Sequence, residues 1–217
     1  MVRQIKLHKV NKAFSNNMLF ENLSYTFQQK NYHIKGKNGT GKSTLLRLLV
    51  GLDKPDSGSI SLNNEHLIAN NNVNFKKIFY VPDDLDVYPF LTGKEFLTWL
   101  AKTRTQEPAE LHRLFEQFEL QSHLHTCIAD MSFGTKKKFL LSSALIGTPD
   151  FIILDEPMNG LDDKSQQVLL MLLQEKSKDI GILLTTHHEA RLTLLNPINI
   201  ELREHRLLDP SYKDLVR

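Results

Sequence analysis

The chain has 217 residues, of which 41% are apolar and 24% are charged, so it can bury a core as one domain or as a domain with a subdomain. Its 27 Lys and Arg residues against 25 Asp and Glu residues leave a formal charge of +2, which gives no support for a nucleic-acid partner. No apolar run reaches the roughly 20 residues of a membrane-spanning helix, and the N-terminus lacks the apolar core of a secretory signal, so we expect a soluble, cytoplasmic protein.

The N-terminal region is predicted to contain half-buried β-strands. Apolar and polar residues alternate in "QIKLHKV" and in "LSYTF", which places on inward faces Ile5, Leu7 and Val10 of the first and Leu23, Tyr25 and Phe27 of the second. The segment between them, "SNNMLFEN", is interpreted as a turn. A further strand, "GSISLNN", is expected after the loop "DKPDSGS".

The middle of the chain is predicted to be helical. An Asn-rich loop at 69–74 precedes a buried strand, "KIFYV", which Pro82 ends. From Thr92 to about Ile146, apolar residues recur at intervals of three and four in "GKEFLTWLAK", "EPAELHRLFEQFEL" and "TKKKFLLSSALI". Two strand-like runs, "FIILD" and "GILLTT", then flank the helical "KSQQVLLMLLQEKSK", which is the β-α-β order of a parallel sheet.

The stretch "HIKGKNGTGKST" carries the first chemical signal. Gly36, Gly41, Lys42 and Ser43 fit the pattern G-x-x-x-x-G-K-[ST] between a predicted strand and a predicted helix, as a phosphate-binding loop requires. Backbone N–H groups would turn inward around phosphates at the helix N-terminus, where the helix dipole favours anions. We expect Lys42 to hold the β- and γ-phosphates and Ser43 to offer its hydroxyl to Mg²⁺. A chance Gly-rich turn that caps a helix is the weaker alternative.

A second signal lies in "FIILDEP". Four apolar residues, 151–154, predict a buried strand that delivers Asp155 and Glu156 at its C-terminal end, where open α/β sheets bind ligands. Asp155 suits the Mg²⁺ shell, and Glu156 suits the orientation or deprotonation of an attacking water. A strand that ends in solvated acids is the alternative, and the nearby phosphate-loop pattern makes it the weaker one.

The order of these motifs over essentially the whole chain resembles the nucleotide-binding subunit of an ATP-binding cassette (ABC) transporter. "GKNGTGKST" is similar to the Walker A motif of that family, "FIILDEP" to Walker B, "MNGLDD" to the D-loop and "LLTTHHEA" to the switch-histidine region. The resemblance implies an α/β fold with a P-loop NTPase core and a mostly parallel sheet. It also implies an N-terminal antiparallel β-subdomain and a helical insert at about 84–146, within one domain spanning 1–217.

The resemblance also implies the cofactors and the site residues. The cofactors are ATP and Mg²⁺, and the catalytic residues are Lys42, Glu156 and His187. The metal ligands are Ser43, Asp155 and Asp83. Phe14 falls where the family stacks an aromatic ring on adenine, although a core aromatic is an equal alternative. The implied nucleotide contacts are Phe14, Gly36, Lys37, Asn38, Gly39, Thr40, Gly41, Lys42, Ser43, Thr44, Ser132 and Gly134.

Two segments depart from the family pattern. The signature segment, usually Leu-Ser-Gly-Gly-Gln, is "MSFGT" here and keeps only Ser132 and Gly134 of its central residues. The following lysines, 136–138, either strengthen the field at a γ-phosphate or, more commonly for such a run, form a solvated helix face. Asp83 stands where the family has Gln, and it either reaches the metal through a water or caps the following turn.

The resemblance implies a mechanism as well. Two copies would face each other head to tail, with each ATP between the phosphate loop of one copy and residues 132–134 of the other. ATP binding and hydrolysis would then move a polytopic membrane permease, docked near residues 84–100 at the inner face of the cell membrane. We favour export, because the compact chain shows no C-terminal regulatory extension and because "YPFLTGKEFL" resembles subunits of bacterial exporters. The alternatives are a soluble ABC-type ATPase and a nucleotide-binding module without turnover.

Overall fold

The computed structural model describes residues 3–15, 17–66, 76–84, 88–104 and 108–209. The strands are β1 (Gln4–Phe14), β2 (Asn17–Gln28), β3 (Asn31–Lys35), β4 (Ser57–Leu62), β5 (Glu65–His66), β6 (Ile78–Val81), β7 (Phe151–Leu154), β8 (Gly181–Leu184), β9 (Ile198–Arg203) and β10 (Arg206–Leu208). The α-helices are α1 (Lys42–Leu49), α2 (Gly93–Thr103), α3 (Pro108–Gln117), α4 (Phe133–Leu145) and α5 (Asp163–Lys176). The Asn-rich segment 69–74, predicted as a loop, lies outside the described residues.

The N-terminal strands form an antiparallel sheet in the order β2-β1-β4-β5. Ile5, Leu7, Val10, Leu23 and Phe27 are buried as predicted, whereas Tyr25 is only partly buried. The predicted turn "SNNMLFEN" is wrong, because β2 already begins at Asn17, which pairs with Phe14. Register shifts along the β1–β2 pair interrupt the simple alternation, and such bulges conceal a strand from a period-two pattern.

The second sheet is mostly parallel, in the order β10-β9-β3-β8-β7-β6. The predicted strands of "FIILD" and "GILLTT" are its centre, and every residue of β7 and β8 is buried. Along β7, Phe151 and Ile153 pack into one core with α1 and the antiparallel sheet. Ile152 and Leu154 pack into the other core with α2, α4 and α5. A strand with both faces covered reads as a continuous apolar run.

Helices α2, α3 and α4 lie between β6 and β7 in the chain, and these two strands are parallel neighbours. The helical segment is therefore part of a crossover connection. Helix α2 begins with a capping box, in which the Thr92 side chain and the Glu95 side chain each bind the other residue's backbone N–H. Within the described segments, no helix has the length and apolar character needed to cross a membrane.

Helix α2 contacts α4 at Gly93. A Cβ atom at Gly93 would lie 2.3 Å from Cζ of Phe139, a distance that real Cβ contacts essentially never show. Phe139 is fully buried, so its ring has little room to move. The close approach of the two helices therefore depends on the glycine.

We expect Gly93→Ala to lower the free energy of unfolding by about 1–3 kcal/mol, because the added methyl group overpacks the Phe139 ring. Urea denaturation measures the change. Phe139→Leu makes room for the methyl group, so the double variant should lose less stability than the sum of the two single losses. Additive losses would show that the two residues are not in steric conflict.

Candidate functional site

The ends of four parallel strands surround a cavity of about 530 Å³ at one edge of the sheet. The phosphate loop follows β3, Asp83 follows β6, Asp155 and Glu156 follow β7, and His187 follows β8. The cavity is lined by Leu19, Asn38, Gly39, Gly41, Lys42, Ser43, Thr44, Asp83, Asp155, Glu156, Asn159 and His187. The structure thus brings together residues from four segments that the sequence analysis singled out separately.

The phosphate loop depends on two glycines in the left-handed region. Gly39 has φ of 80° and Gly41 has φ of 98°, a conformation that disfavours other residues. Gly41 is the N-cap of α1 and provides no side-chain acceptor for the first helical N–H groups. The Lys42 ammonium folds back over the loop and donates hydrogen bonds to the carbonyls of Gly36 at 2.8 Å and Lys37 at 3.3 Å. Donors and positive charge therefore converge at the helix N-terminus, as anion binding requires.

A buried hydroxyl positions the Asp155 carboxylate and the backbone of Glu156. Thr185 Oγ1 donates a hydrogen bond to Asp155 Oδ1 at 2.6 Å and accepts one from the backbone N–H of Glu156 at 3.0 Å. Glu156 has φ of 44°, which is a strained conformation for a residue with a Cβ atom. Its Oε1 lies 3.3 Å from His187 Nε2, and its Oε2 is buried without a hydrogen-bond partner in the described structure. A buried oxygen of this kind is free to accept a proton or a hydrogen bond from a ligand.

The donor set fits a magnesium–nucleotide complex. The cavity volume lies within the range of small-molecule sites, about 300–1,000 Å³. Among the described residues, no group of three or more His, Cys, Asp and Glu side chains is placed to hold a metal ion. Mg²⁺ needs few protein ligands when phosphates and waters complete its shell, and the Ser43 hydroxyl and the Asp155 carboxylate are oxygen donors of the right kind.

Comparison with known proteins identifies the family. The family model described as ABC transporter matches residues 20–159. The zinc import ATP-binding protein ZnuC of Rickettsia bellii is 35% identical over 189 residues, which cover 84% of this chain and 76% of that protein. The chain belongs to the ABC transporter ATP-binding family. It is an ATP-binding, ATP-hydrolysing transporter subunit with an α/β P-loop NTPase fold.

Two further comparisons agree with this assignment. The Nod factor export ATP-binding protein I of Burkholderia lata is 30% identical over 192 residues, which cover 86% of this chain and 63% of that protein. A solved structure of the ATP-binding subunit of an ABC transporter superposes with a TM-score of 0.84 at 28% identity, over 94% of this chain and 87% of that chain. The fold of this cassette therefore matches the family over nearly its whole length.

Several predicted nucleotide contacts of the cassette lie away from the cavity. Ser132 instead accepts a hydrogen bond from the Thr135 N–H at the start of α4. Gly134 lies against the loop after β7, where a Cβ atom would be 2.8 Å from the Gly160 carbonyl oxygen. Gly36, Lys37 and Thr40 belong to the phosphate loop but do not line the cavity. Their predicted contacts with the nucleotide stay predictions.

Phe14 is also outside the cavity. Its side chain is 51% exposed, so the alternative of a core aromatic is wrong. The Lys12 ammonium lies 5.1 Å from the centroid of the ring, and Lys12 also pairs with Asp56 at 2.9 Å. One face of the ring therefore contacts a cation, and the adenine contact stays a prediction.

The three consecutive lysines do not form a solvated helix face. Lys137 is fully buried in α4, and its Nζ lies 3.4 Å from Asp83 Oδ1. Lys136 donates a hydrogen bond to the Ala129 carbonyl, and Lys138 pairs with Asp162 at 3.3 Å. The solvated-face interpretation is therefore wrong at Lys137, because this position of α4 contacts Pro82 and Asp83 at the end of β6.

Three residues of the site were not predicted from the sequence. Leu19 was hidden in the supposed turn, and Asn159 and Thr185 lay unassigned inside motifs that were quoted for other residues. A hydroxyl directly after a buried strand, next to a strand that ends in two acids, was a usable signal for Thr185. The pairing of β7 with β8 makes these two strand ends neighbours.

We expect Thr185→Val to lower the rate of ATP hydrolysis about 10- to 100-fold, because the Asp155 carboxylate and the Glu156 backbone lose the hydroxyl that positions them. The free energy of unfolding should fall by about 1–3 kcal/mol, since the buried Asp155 oxygen and Glu156 N–H lose a partner. Thr185→Ser keeps the hydroxyl and should retain activity within a fewfold. Equal turnover in the Val and Ser variants would show that the hydroxyl does not orient the site.

Proposed function

We propose that this cassette hydrolyses Mg-ATP in the cavity at the sheet edge and thereby drives a separate polytopic membrane permease. Residues 1–217 would act as one ATPase domain, with 84–146 as its helical subdomain. The observation that carries the proposal is the convergence of Lys42, Asp155, Glu156 and His187 in one cavity. Measurement of ATP hydrolysis with and without the permease tests it. A rate of hydrolysis that is the same with and without the permease would favour a soluble ABC-type ATPase. ATP binding without hydrolysis would favour a nucleotide-binding module.

Each residue of the cavity has a role that follows from its position. Lys42 and the backbone N–H groups of residues 38–44 bind the phosphates. Ser43 and Asp155 would hold Mg²⁺, which when bound offsets the negative charge of the phosphates. Glu156 orients or deprotonates the attacking water with its unpartnered oxygen, and His187 holds the other oxygen of that carboxylate.

The position of the signature segment supports an assembly of two copies. Ser132 and Gly134 do not line the cavity that contains the phosphate loop of the same chain. In a head-to-tail pair, each nucleotide would lie between the phosphate loop of one copy and residues 132–134 of the other. ATP that contacts both copies favours the closed pair, and its hydrolysis releases them, which is how a ligand drives motion between two states.

An apolar groove supports the proposed contact with the permease. A cavity of about 550 Å³ between β6 and α2 is lined in part by Tyr88, Phe96, Trp99 and Leu100. Tyr88 and Trp99 are about half exposed, and their ring centroids lie 5.8 Å apart. Exposed aromatic side chains in an apolar groove fit a helix of the permease. These four residues lie within segment 84–100, where docking of the permease was predicted. Docking there would place the cassette at the inner face of the cell membrane.

Export is the direction of transport that we propose. The Burkholderia relative is named for export and the Rickettsia relative for import, so similarity to named relatives does not decide between the two. ATP-dependent transport of a labelled substrate in vesicles that contain the co-purifying permease decides it. Accumulation on the side that carries the cassette would contradict export.

We expect Lys42→Ala to weaken ATP binding about 10- to 100-fold and to abolish measurable hydrolysis, because the phosphates lose a charge-assisted donor. The fold should persist, since the Lys42 ammonium binds only carbonyls of its own loop in the described structure. Lys164→Ala removes the same charge from an exposed position on α5 and should change neither property. Undiminished turnover in Lys42→Ala would rule out the phosphate-loop assignment.

We expect Glu156→Gln to slow hydrolysis at least 100-fold and to let an ATP-bound dimer accumulate, because the amide keeps the shape of the carboxylate but is no base. Light scattering after gel filtration in Mg-ATP, at tens of micromolar protein, measures the dimer (an order of magnitude typical of weak interfaces). Glu175→Gln, at an exposed carboxylate on α5, is the matched control. A Glu156→Gln variant that stays monomeric, even with the permease present, contradicts the two-copy mechanism.

A further inference from the structure

Lys137 is a buried cation that the ATPase mechanism does not use. It lies in α4 with 0% of its side chain exposed. Its Nζ contacts two groups at the end of β6, the Pro82 carbonyl oxygen and Asp83 Oδ1, each at 3.4 Å. A buried charge is destabilising unless a partner of opposite sign and hydrogen bonds offset the loss of solvation. Burial lowers the pKa of Lys137, while Asp83, and more weakly Asp155 and Glu156, act to raise it.

Asp83 connects this buried lysine to the nucleotide cavity. Its carboxylate is 48% exposed and lines the cavity wall. The same Oδ1 atom that faces Lys137 also lies 3.4 Å from Asn159 Nδ2, in the loop after β7. Three segments therefore meet at one oxygen atom: helix α4, the end of β6 and the loop that follows Glu156. One end of the pair is inside the helical region, and the other lines the cavity.

The charges around the cavity indicate a role for a buried cation next to Asp83. Three carboxylates, those of Asp83, Asp155 and Glu156, line a cavity that we propose to bind a triphosphate, and Lys42 is the only lysine or arginine among the described lining residues. An additional anion at position 83 repels the phosphates unless a cation lies behind it. Lys137 is in contact with that anion and is screened from solvent, so its field is weakened little by salt.

We propose that Lys137 is an internal counter-ion and positioning residue for Asp83, which holds this carboxylate at the cavity wall and offsets its charge toward the nucleotide. The pair would take the place of the neutral Gln side chain that a typical cassette carries at position 83. Through Asn159 and α4, the same contact joins the helical region to the nucleotide site. The proposal rests on the proposed function, because it requires that the cavity binds a nucleotide.

The pair is tested by four proteins: the wild type, Lys137→Met, Asp83→Asn and the double variant. Fluorescence titration with trinitrophenyl-ATP in EDTA measures nucleotide affinity without metal, and urea denaturation without nucleotide measures stability. Lys137→Met leaves an uncompensated anion at the wall, so metal-free affinity should fall about tenfold. Asp83→Asn removes the anion, so metal-free affinity should rise severalfold. The double variant should bind within about twofold of the wild type.

Stability provides an independent readout. Asp83→Asn leaves Lys137 buried without its carboxylate, so its urea midpoint should fall, and Lys137→Met in the same chain should restore part of the loss. A purely structural role would lower the midpoint without shifting the two affinities in opposite directions. The control is the exposed pair of Lys164 and Glu119, where Lys164→Met and Glu119→Gln should leave affinity and midpoint unchanged.

The possible failures are distinguishable. A wild type that binds no trinitrophenyl-ATP, with or without Mg²⁺, defeats the proposed function. A wild type that binds it defeats the counter-ion proposal alone if the two single variants do not shift metal-free affinity in opposite directions, or if Lys137→Met restores none of the urea midpoint lost in Asp83→Asn. If Lys137→Met does not fold, Asp83→Asn still decides, because an unchanged urea midpoint or an unchanged metal-free affinity overturns the proposal.

An Mg²⁺ titration of ATP hydrolysis separates the pair from direct metal binding by Asp83. With Lys137 holding the carboxylate, Asp83→Gln should leave the Mg²⁺ concentration for half-maximal rate within about twofold of the wild type. In Lys137→Met the carboxylate is released toward the cavity, and the half-maximal concentration should fall severalfold. If the half-maximal Mg²⁺ concentration of Asp83→Gln differs strongly from that of the wild type, Asp83 binds the metal directly and the proposal is overturned.

Discussion

The register of four parallel strands is the constraint on which the site depends. Leu154 of β7 pairs with Val81 of β6 on one side and with Leu184 of β8 on the other, and Leu184 pairs with His33 of β3. The four strands therefore end at nearly the same level, and the residues that follow them leave the sheet together. Groups far apart in sequence meet without long side chains, because backbone pairing has already aligned them. A one-residue slip would turn every side chain of a strand to the opposite face.

Because the strand ends are aligned, the single hydroxyl of Thr185 reaches two groups on the neighbouring strand end. The side chain has one hydroxyl, yet it binds both the Asp155 carboxylate and the Glu156 backbone, because β8 ends beside β7. The second of these contacts holds Glu156 in a left-handed conformation that has a free-energy cost of about 1–3 kcal/mol for a non-glycine residue. The surrounding sheet is rigid enough to maintain this strain, since the neighbouring strands are buried on both faces.

The sequence predicted those parts of the structure whose signal is local. The phosphate loop needs glycines at fixed positions, and β7 and β8 are unbroken apolar runs because helices or a second sheet cover both of their faces. The start of β2 was missed, because register shifts along its pairing with β1 disrupt the alternation that identifies a strand. The burial of Lys137 was missed for a different reason. Three consecutive lysines give no indication of which one faces Asp83, and only the packing of α4 under the end of β6 decides this.

The back-folded Lys42 ammonium has a consequence for how the phosphate loop meets its ligand. Because the ammonium is already hydrogen-bonded to two carbonyls of its own loop, the loop holds its curvature before any phosphate arrives. An incoming phosphate therefore meets a loop that is already ordered, so little conformational entropy is lost on binding. A cassette that must bind and release a nucleotide in every cycle is well served by a loop that is ordered in advance.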